Sequence, residues 1–309
     1  MKPSPYQIAA FTHAARERSF SKAAFVLGVT QSSVTQHVAK LERIVGTQLF
    51  VRRREGLELT RAARELFAIS DRLRNLEQLI EEKIEDYGEL TTGHLRIIAN
   101  APRPAMPVIA RYQTIYPHVQ IEFTLFDWDT AMRQLREREV DIAIIVEPEV
   151  AEGLELREVG TTRYKAFVRH DHPLAGRASL SLRELTDQVV VLPEDGSLTQ
   201  RVVNGKLRDL GLAFSRLIKT TTFPVVKEAI LHGFGVGFML ADSQFPSTHL
   251  VAIDIEEMPE TYRVCLATPS DKWDLRLVKS FCDVALQVTE EAGSAVTPGS
   301  RAANLGGAT

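Results

Sequence analysis

The chain of 309 residues contains two cysteines, Cys265 and Cys282. Two are too few for a disulfide framework, so the sequence predicts residence in a reducing cytoplasm. No run of about 18 uninterrupted apolar residues occurs, so no membrane-spanning helix is expected. The N-terminal stretch MKPSPYQIAAFTHAARERSF has no sustained apolar core and does not read as a secretory signal. Signatures of catalysis are missing as well. No G-x-S-x-G elbow is present. His232-Gly233-Phe234-Gly235-Val236-Gly237 has neither the spacing nor the preceding strand of a dinucleotide site, and reads as a helix-to-strand turn. His170-x-His172 lacks a third metal ligand at a recognisable spacing and sits among Asp171, Pro173 and Gly176, as in an exposed turn. No enzyme, cofactor or metal site is therefore expected.

What is present is 44% hydrophobic and 25% charged sequence, enough for two or three globular domains. The net charge of −3 conceals an asymmetry. Residues 1–64 carry eleven Lys and Arg against four Glu, a balance of +7, which leaves −10 for the remainder. A basic N-terminal module on an acidic body points to a polyanion partner for the first segment alone.

The stretch SFSKAAFVLGVTQSSVTQHVAKLE, Ser19 to Glu42, has the pattern of a helix-turn-helix. Tyr6 to Arg18 supplies a preceding helix with Ile8, Ala9, Phe11 and Ala15 at helical spacing. Ser19 or Ser21 caps the second helix, and Ala23 and Ala24 permit close packing. Gly28 ends it in a left-handed conformation, and Thr30 caps the third helix. Val34, Val38 and Leu41 fall on one face of that helix. Gln31, Ser32, Ser33, Thr35, Gln36 and Lys40 are left on the open face, as residue types that read base edges and phosphates. Taken alone, such a face is as well explained by contact with water. The neighbourhood tips the reading toward duplex DNA. Leu49 to Val51 and Leu57 to Leu59 read as strands flanking Arg52, Arg53 and Arg54, a basic wing suited to phosphate contact.

Thr60 then caps a long helix reaching to about Tyr87. Leu66, Ile69, Leu73, Leu76 and Ile80 recur at spacings of three and four, a heptad seam. Such a seam can lie on its own domain. The charged flanks favour a homodimer helix that sets two reading heads on a dyad-symmetric site.

These residues, together with LFVRR and the Thr60 that opens the linker, resemble the LysR-type transcriptional regulators over about residues 5–290. Ser32 departs from the Pro common there, and Ala63 from the Gly. The resemblance implies an α+β multidomain protein. Residues 1–60 form a winged helix-turn-helix, 61–92 a linker helix and hinge, and 93–291 a two-lobed α/β body like a periplasmic binding protein. Lobe I is expected over 93–163 plus 268–291 and lobe II over 164–267, with a disordered tail at 292–309. It also implies a homodimer, often a tetramer, that binds promoter DNA, responds to a small molecule and recruits RNA polymerase.

The strand–helix alternation of the body predicts parallel sheets with helices on both faces. Ligands of such sheets bind at strand carboxyl ends near helix N-termini. The candidates are Asn100, Pro102 and Arg103 after the first strand and Trp128 after the second. In the second lobe they are Ser197, Thr199 and Arg201, then Thr222 and Phe223. Gly196-Ser197-Leu198-Thr199-Gln200-Arg201 suggests an anion cradle with a bidentate cation, for a carboxylate, phosphonate or sulfonate. Its likeness leans toward regulators of aminophosphonate-type catabolism. The alternative is that Thr199 only caps a helix and Arg201 is a surface residue. Trp128 either walls the pocket or fills a gap between lobes. Pro102-Arg103 departs from the small hydroxyl residue of many relatives. Three other readings stand beside this one. The body can serve mainly for oligomer assembly, the thiols can sense oxidation, or the chain can be a transport binding protein. Buried, inert thiols and the attached reading head argue against the last two.

Overall fold

The computed structural model describes residues 2–53, 56–84, 93–221, 223–242 and 248–295. The side chains at 83, 103, 104, 223 and 292–295 fall outside that description. So do the predicted contributions of Arg54, Tyr87, the hinge at 89–92, Thr222 and the tail beyond Ala295.

The head is built from α1 (Pro5–Glu17), α2 (Phe20–Val26), α3 (Gln31–Val45) and the hairpin of β1 (Phe50–Arg53) with β2 (Gly56–Leu59). Each helix start has a local cause. Ser4 and Gln7 form a reciprocal capping box, with Pro5 in the first turn where its missing N–H costs nothing. Ser19, not Ser21, caps α2 by accepting the Lys22 N–H. Gly28 turns the chain at φ +64°, and Thr30 caps α3 through the Ser33 N–H. Phe11, Val34, Val38, Leu41 and Leu49 close the core. The Phe50 ring lies against Phe11 and Phe20 at 5.6 and 5.5 Å.

The helix α4 (Arg61–Ile84) leaves the head with Ala63 and Phe67 still in its core. Its 24 residues span roughly 36 Å. One face, at Ser70, Asp71 and Asn75, is buried. The seam face is not: Ile69, Leu73, Leu76 and Ile80 are 50–69% exposed.

Lobe I is a five-stranded sheet in the order β4-β3-β5-β13-β6. These strands are β3 (Gly93–Ala99), β4 (Val119–Leu125), β5 (Ile142–Val146), β6 (Leu154–Thr162) and β13 (Tyr262–Pro269). One face is covered by α5 (Pro102–Ile115) and α9 (Arg276–Ala295), where Tyr112 meets Phe281 at 5.2 Å. The other face is covered by α6 (Trp128–Arg136) through Ala131, Met132 and Leu135.

Lobe II is a six-stranded sheet in the order β10-β9-β11-β7-β12-β8. Its strands are β7 (Tyr164–Arg169), β8 (Ser179–Leu180), β9 (Val189–Pro193), β10 (Arg216–Thr220), β11 (Val236–Leu240) and β12 (Leu250–Ile255). It is flanked by α7 (Leu198–Asp209) and α8 (Phe223–Leu231). The glycine run after α8 makes the expected turn. Gly235 sits at φ +143°, and a Cβ there would fall 2.1 Å from the Val189 carbonyl oxygen.

The structure corrects three expectations. Both sheets are mixed. β3, β4 and β5 are parallel, but β13 runs antiparallel to β5 and β6. In lobe II, β7 is antiparallel to both β11 and β12. Strands that enter from the other lobe arrive in the opposite direction. The return to lobe I occurs by Tyr262 rather than at 268, because the whole of β13 is an interior strand of that sheet. Finally, α9 runs on to Ala295, past the expected end of lobe I at 291.

Candidate DNA-reading face and effector cleft

On α3 the buried set is Val34, Val38 and Leu41, as the spacing requires. Gln31, Ser32, Gln36 and Lys40 are exposed, while Ser33 and Thr35 are half-buried. Two of the six are held by neighbours. Ser21 Oγ donates to Gln31 Oε1 at 2.7 Å, and Thr35 Oγ1 donates to the Gln31 carbonyl at 2.9 Å. Among the described residues, Ser32, Gln36 and Lys40 have no side-chain partner, so their donors point to solvent.

The wing lies against the end of α1. The Leu57 N–H donates to the Arg18 carbonyl at 2.9 Å. A Cβ at Gly56 would lie 2.8 Å from that same oxygen, so glycine permits the approach. Arg52 is exposed. Arg53 Nε donates to Glu58 Oε2 at 2.8 Å across the hairpin, so a carboxylate already shares its charge.

The second site lies between the lobes. A cavity of about 50 Å³ is lined by Asn100, Ala101, Asp127 and Trp128 from lobe I and by Tyr164, Ser197, Leu198, Thr199 and Thr221 from lobe II. Apolar side chains of Leu125, Phe126, Pro193, Val226, Phe238 and Leu240 complete the wall. This volume holds a few waters and is small beside ordinary ligand pockets of about 300–1,000 Å³, so the two lobes are closed on each other. Of the predicted residues, Asn100, Trp128, Ser197 and Thr199 come together here.

Trp128 both walls the cavity and fills lobe I. It is buried, and its Nε1–H donates to the Val146 carbonyl at 2.9 Å. Asn100 Oδ1 accepts the Val146 N–H at 3.1 Å. Thr199 Oγ1 donates to the Tyr164 hydroxyl oxygen at 3.5 Å. Burial holds the Tyr164 phenol well above its ordinary range, outweighing the Thr199 hydrogen bond that opposes it. It therefore stays a neutral hydroxyl. Sequence reasoning missed Tyr164 because it opens the strand at which the chain crosses lobes, a place recognisable only once both sheets are known.

Arg201 lies outside that cavity, in a flanking open depression of about 430 Å³ shared with Asp129, Gln200 and Arg208. Its guanidinium sits 4.5 Å from the centre of the Trp128 ring, and its Nη2 donates to Asp129 Oδ1 at 3.1 Å. The Asp129 N–H also reaches the Gly196 carbonyl at 3.3 Å. Lobe II is thus latched to the start of α6.

Helix N-termini differ in what they offer the cavity. Ser197 Oγ caps α7 by accepting the Gln200 N–H, which leaves the Leu198 and Thr199 amides as its first-turn donors. At α5, Ala101 provides no side-chain cap. Pro102 and Pro104 lack N–H groups altogether, so α5 contributes few donors there. Pro102 itself does not line the cavity. Asp127 already caps α6. Both cysteines are buried. Burial raises the Cys265 thiol and pushes the Cys282 thiol up to about 12, so neither is a ready thiolate.

Residues 5–64 match the bacterial regulatory helix-turn-helix protein, lysR family, and residues 88–290 match the LysR substrate binding domain. A RuBisCO operon transcriptional regulator of Allochromatium vinosum is 26% identical over 265 residues, covering 84% of this chain and 88% of its own length. Full-length OxyR of Pseudomonas aeruginosa, solved as a variant, has the same fold. Its TM-score is 0.76 at 17% identity over 92% of this chain and 95% of that one. The CcmR regulatory domain of Synechocystis PCC6803, solved in complex with 2-PG, gives a TM-score of 0.57 at 22% identity. That likeness covers 64% of this chain and 98% of the domain. No described helix is long and apolar enough to cross a membrane. With both matches together spanning nearly all of the folded sequence, this chain belongs to the LysR family of DNA-binding transcriptional regulators.

Proposed function

We propose that this regulator reads promoter DNA with Gln31, Ser32, Ser33, Thr35, Gln36 and Lys40. The wing arginines Arg52, Arg53 and Arg54 bind phosphate, and a small molecule bearing an anionic group tunes the interaction from the interlobe cleft. The observation that carries the effector class is the start of α7. Its free Leu198 and Thr199 amides lie beside the Ser197 and Thr199 hydroxyls on the cavity wall, and helix N-termini favour negative charge. Asn100 faces them from lobe I. Arg201 takes part by exchanging Asp129 for the ligand's anion when the lobes separate to admit it. Arg103 near the start of α5 and Phe223 at the start of α8 belong to the same reading, and Thr222 joins it by its place in the sequence.

The exposed seam of α4 supports a homodimer. Assembly into a tetramer, recruitment of RNA polymerase and residence in the cytoplasm follow from the family likeness. The test is a thermal-shift screen of the full chain against small carboxylates, phosphonates (aminophosphonates among them), sulfonates and neutral metabolites. A saturable rise with one anion class, lost in Arg201→Gln and Thr199→Val, is expected. Affinity for neutral compounds alone would overturn the anionic class.

A second reading has a specific observation behind it. The small cavity and the interlobe latch also suit a body that serves for assembly without a ligand. That reading requires no shift with any compound and an unchanged oligomer.

A further inference from the structure

We propose that α6 is a strut through which closure of the lobes is felt by the DNA-reading head of the same chain, with Arg138 as its positioning residue. The proposal takes its biological purpose from the reading of the cleft as the effector site.

The two ends of α6 meet different parts of the molecule. At its start, Trp128 carries the Arg201 guanidinium on its ring and Asp129 pairs with it, so lobe II grips this end directly. Nine residues later, about 13 Å along the axis, the helix ends and Arg138 takes φ +61°. That conformation is uncommon for a side chain of this size. It aims a nearly buried guanidinium at two carboxylates. Nε donates to Asp71 Oδ2 of α4 at 2.6 Å, and Nη1 and Nη2 donate to Asp271 at 2.9 and 2.6 Å. Asp71, fully buried, also accepts from Arg16 Nε of α1 at 2.5 Å. The next residue, Glu139, pairs with Arg18 at 2.6 Å, and the Arg18 carbonyl holds the wing through Leu57.

One short helix therefore runs from the latch at the cleft to a clamp on α1, α4 and the wing. Its remaining contacts make it stiff. Trp128, Ala131, Met132 and Leu135 pack with Ile98, Ala143, Ile145 and Ala267 in one buried apolar layer, and close-packed interiors transmit strain. Both ends also carry charge-assisted hydrogen bonds, the stronger kind. Release of Arg201 removes the pull of lobe II on the start of α6, which stays held to lobe I by the Trp128 bond to Val146, and the stiff helix passes that change in load to the clamp at its end.

The experiment uses hydrogen exchange on the full-length protein without ligand. Amides of residues 14–18 and of Leu57 report the clamp, and those of β5 report the integrity of lobe I. Arg201→Gln should speed exchange at the clamp by at least about fivefold, the low end of ordinary coupling between sites. In an Arg138→Gln background the same change should have no further effect. If Arg138→Gln also speeds β5, misfolding is the cause and Glu139→Gln with Arg18→Gln takes its place. That pair opens the clamp from its solvent side without stranding a buried charge. Unchanged clamp exchange in Arg201→Gln, or an equal effect with the clamp already broken, would overturn the strut. Because no ligand is used, its failure leaves the cleft reading intact, and a failed ligand screen leaves the strut intact.

Discussion

Lys272 and Asp141 meet 2.7 Å apart inside lobe I, with the lysine side chain only 2% exposed. The ammonium also approaches the Val140 carbonyl at 3.4 Å, and the second carboxylate oxygen accepts the Arg96 N–H at 2.9 Å. Burial alone would raise the Asp141 carboxyl, but Lys272 and Arg16 outweigh it and hold it at about 2. Lys272→Met removes the nearest counter-charge and should cost about 3–5 kcal/mol in urea unfolding, because a buried charge is left unpaired. Adding Asp141→Asn should recover part of the loss. A single-variant cost below about 1 kcal/mol would mean that water reaches the carboxylate.

His13 makes stability depend on pH. Burial, reinforced by the charges of Arg74 and Arg16, lowers its imidazole to about 4. The folded protein keeps it neutral while an unfolded chain takes up a proton near pH 6.5. Stability should therefore fall as pH drops from about 6.5 toward 4, and should owe nothing to this group above that window. His13→Asn should flatten this part of the profile, measured by denaturation at a series of pH values. An identical profile in the variant would assign the loss elsewhere.

The wing should respond to charge changes at two places. Arg52→Ala should weaken binding to any duplex and reduce the slope of log affinity against log salt by about one, as expected for one lost phosphate contact. Glu58→Gln should do the opposite to affinity, since it releases Arg53 from its partner across the hairpin. Fluorescence anisotropy with a mixed-sequence duplex over a salt series measures both. An unchanged slope in Arg52→Ala would remove this residue from the phosphate contacts.

Charge placed on the linker seam should separate the subunits. Leu73→Asp combined with Leu76→Asp puts two carboxylates where apolar side chains stand free. Light scattering after size exclusion should show a monomer, against a dimer or larger species for the parent chain. Persistence of the parent mass would locate the interface on another surface.

Much of this structure is legible in the sequence wherever a local rule acts alone. Thr30 caps the helix that its side chain predicts, while α7 starts one residue before Thr199 with Ser197 as its cap; β5 and β11 are short apolar runs buried along their whole length. β6 escaped notice for a physical reason. Leu154 and Leu156 begin an alternation, but a register shift opposite Val264 and Cys265 breaks its period before Val159. β12 buries Leu250, Ile253 and Ile255, at spacings of three and then two, so it has no clean strand signature. The antiparallel course of β13 is set by which lobe it comes from, and local propensity carries no trace of that. In the cleft, the Ser and Thr chemistry at the start of α7 was legible from spacing. The capture of Arg201 by Asp129 was not, because those residues come from different lobes. Nor did any motif mark Asp71 or Arg138, whose meaning depends on three elements far apart in the chain.

The bare strip along α4 has a further consequence, for the abundance of the protein. Once two copies pair along it, each tenfold rise in concentration adds about 1.4 kcal/mol to the apparent stability of the assembled form through mass action. A dilute pool leaves the same leucines and isoleucines open to proteases and to other apolar surfaces. The survival of the regulator is then tied to its own copy number, independently of any signal it receives.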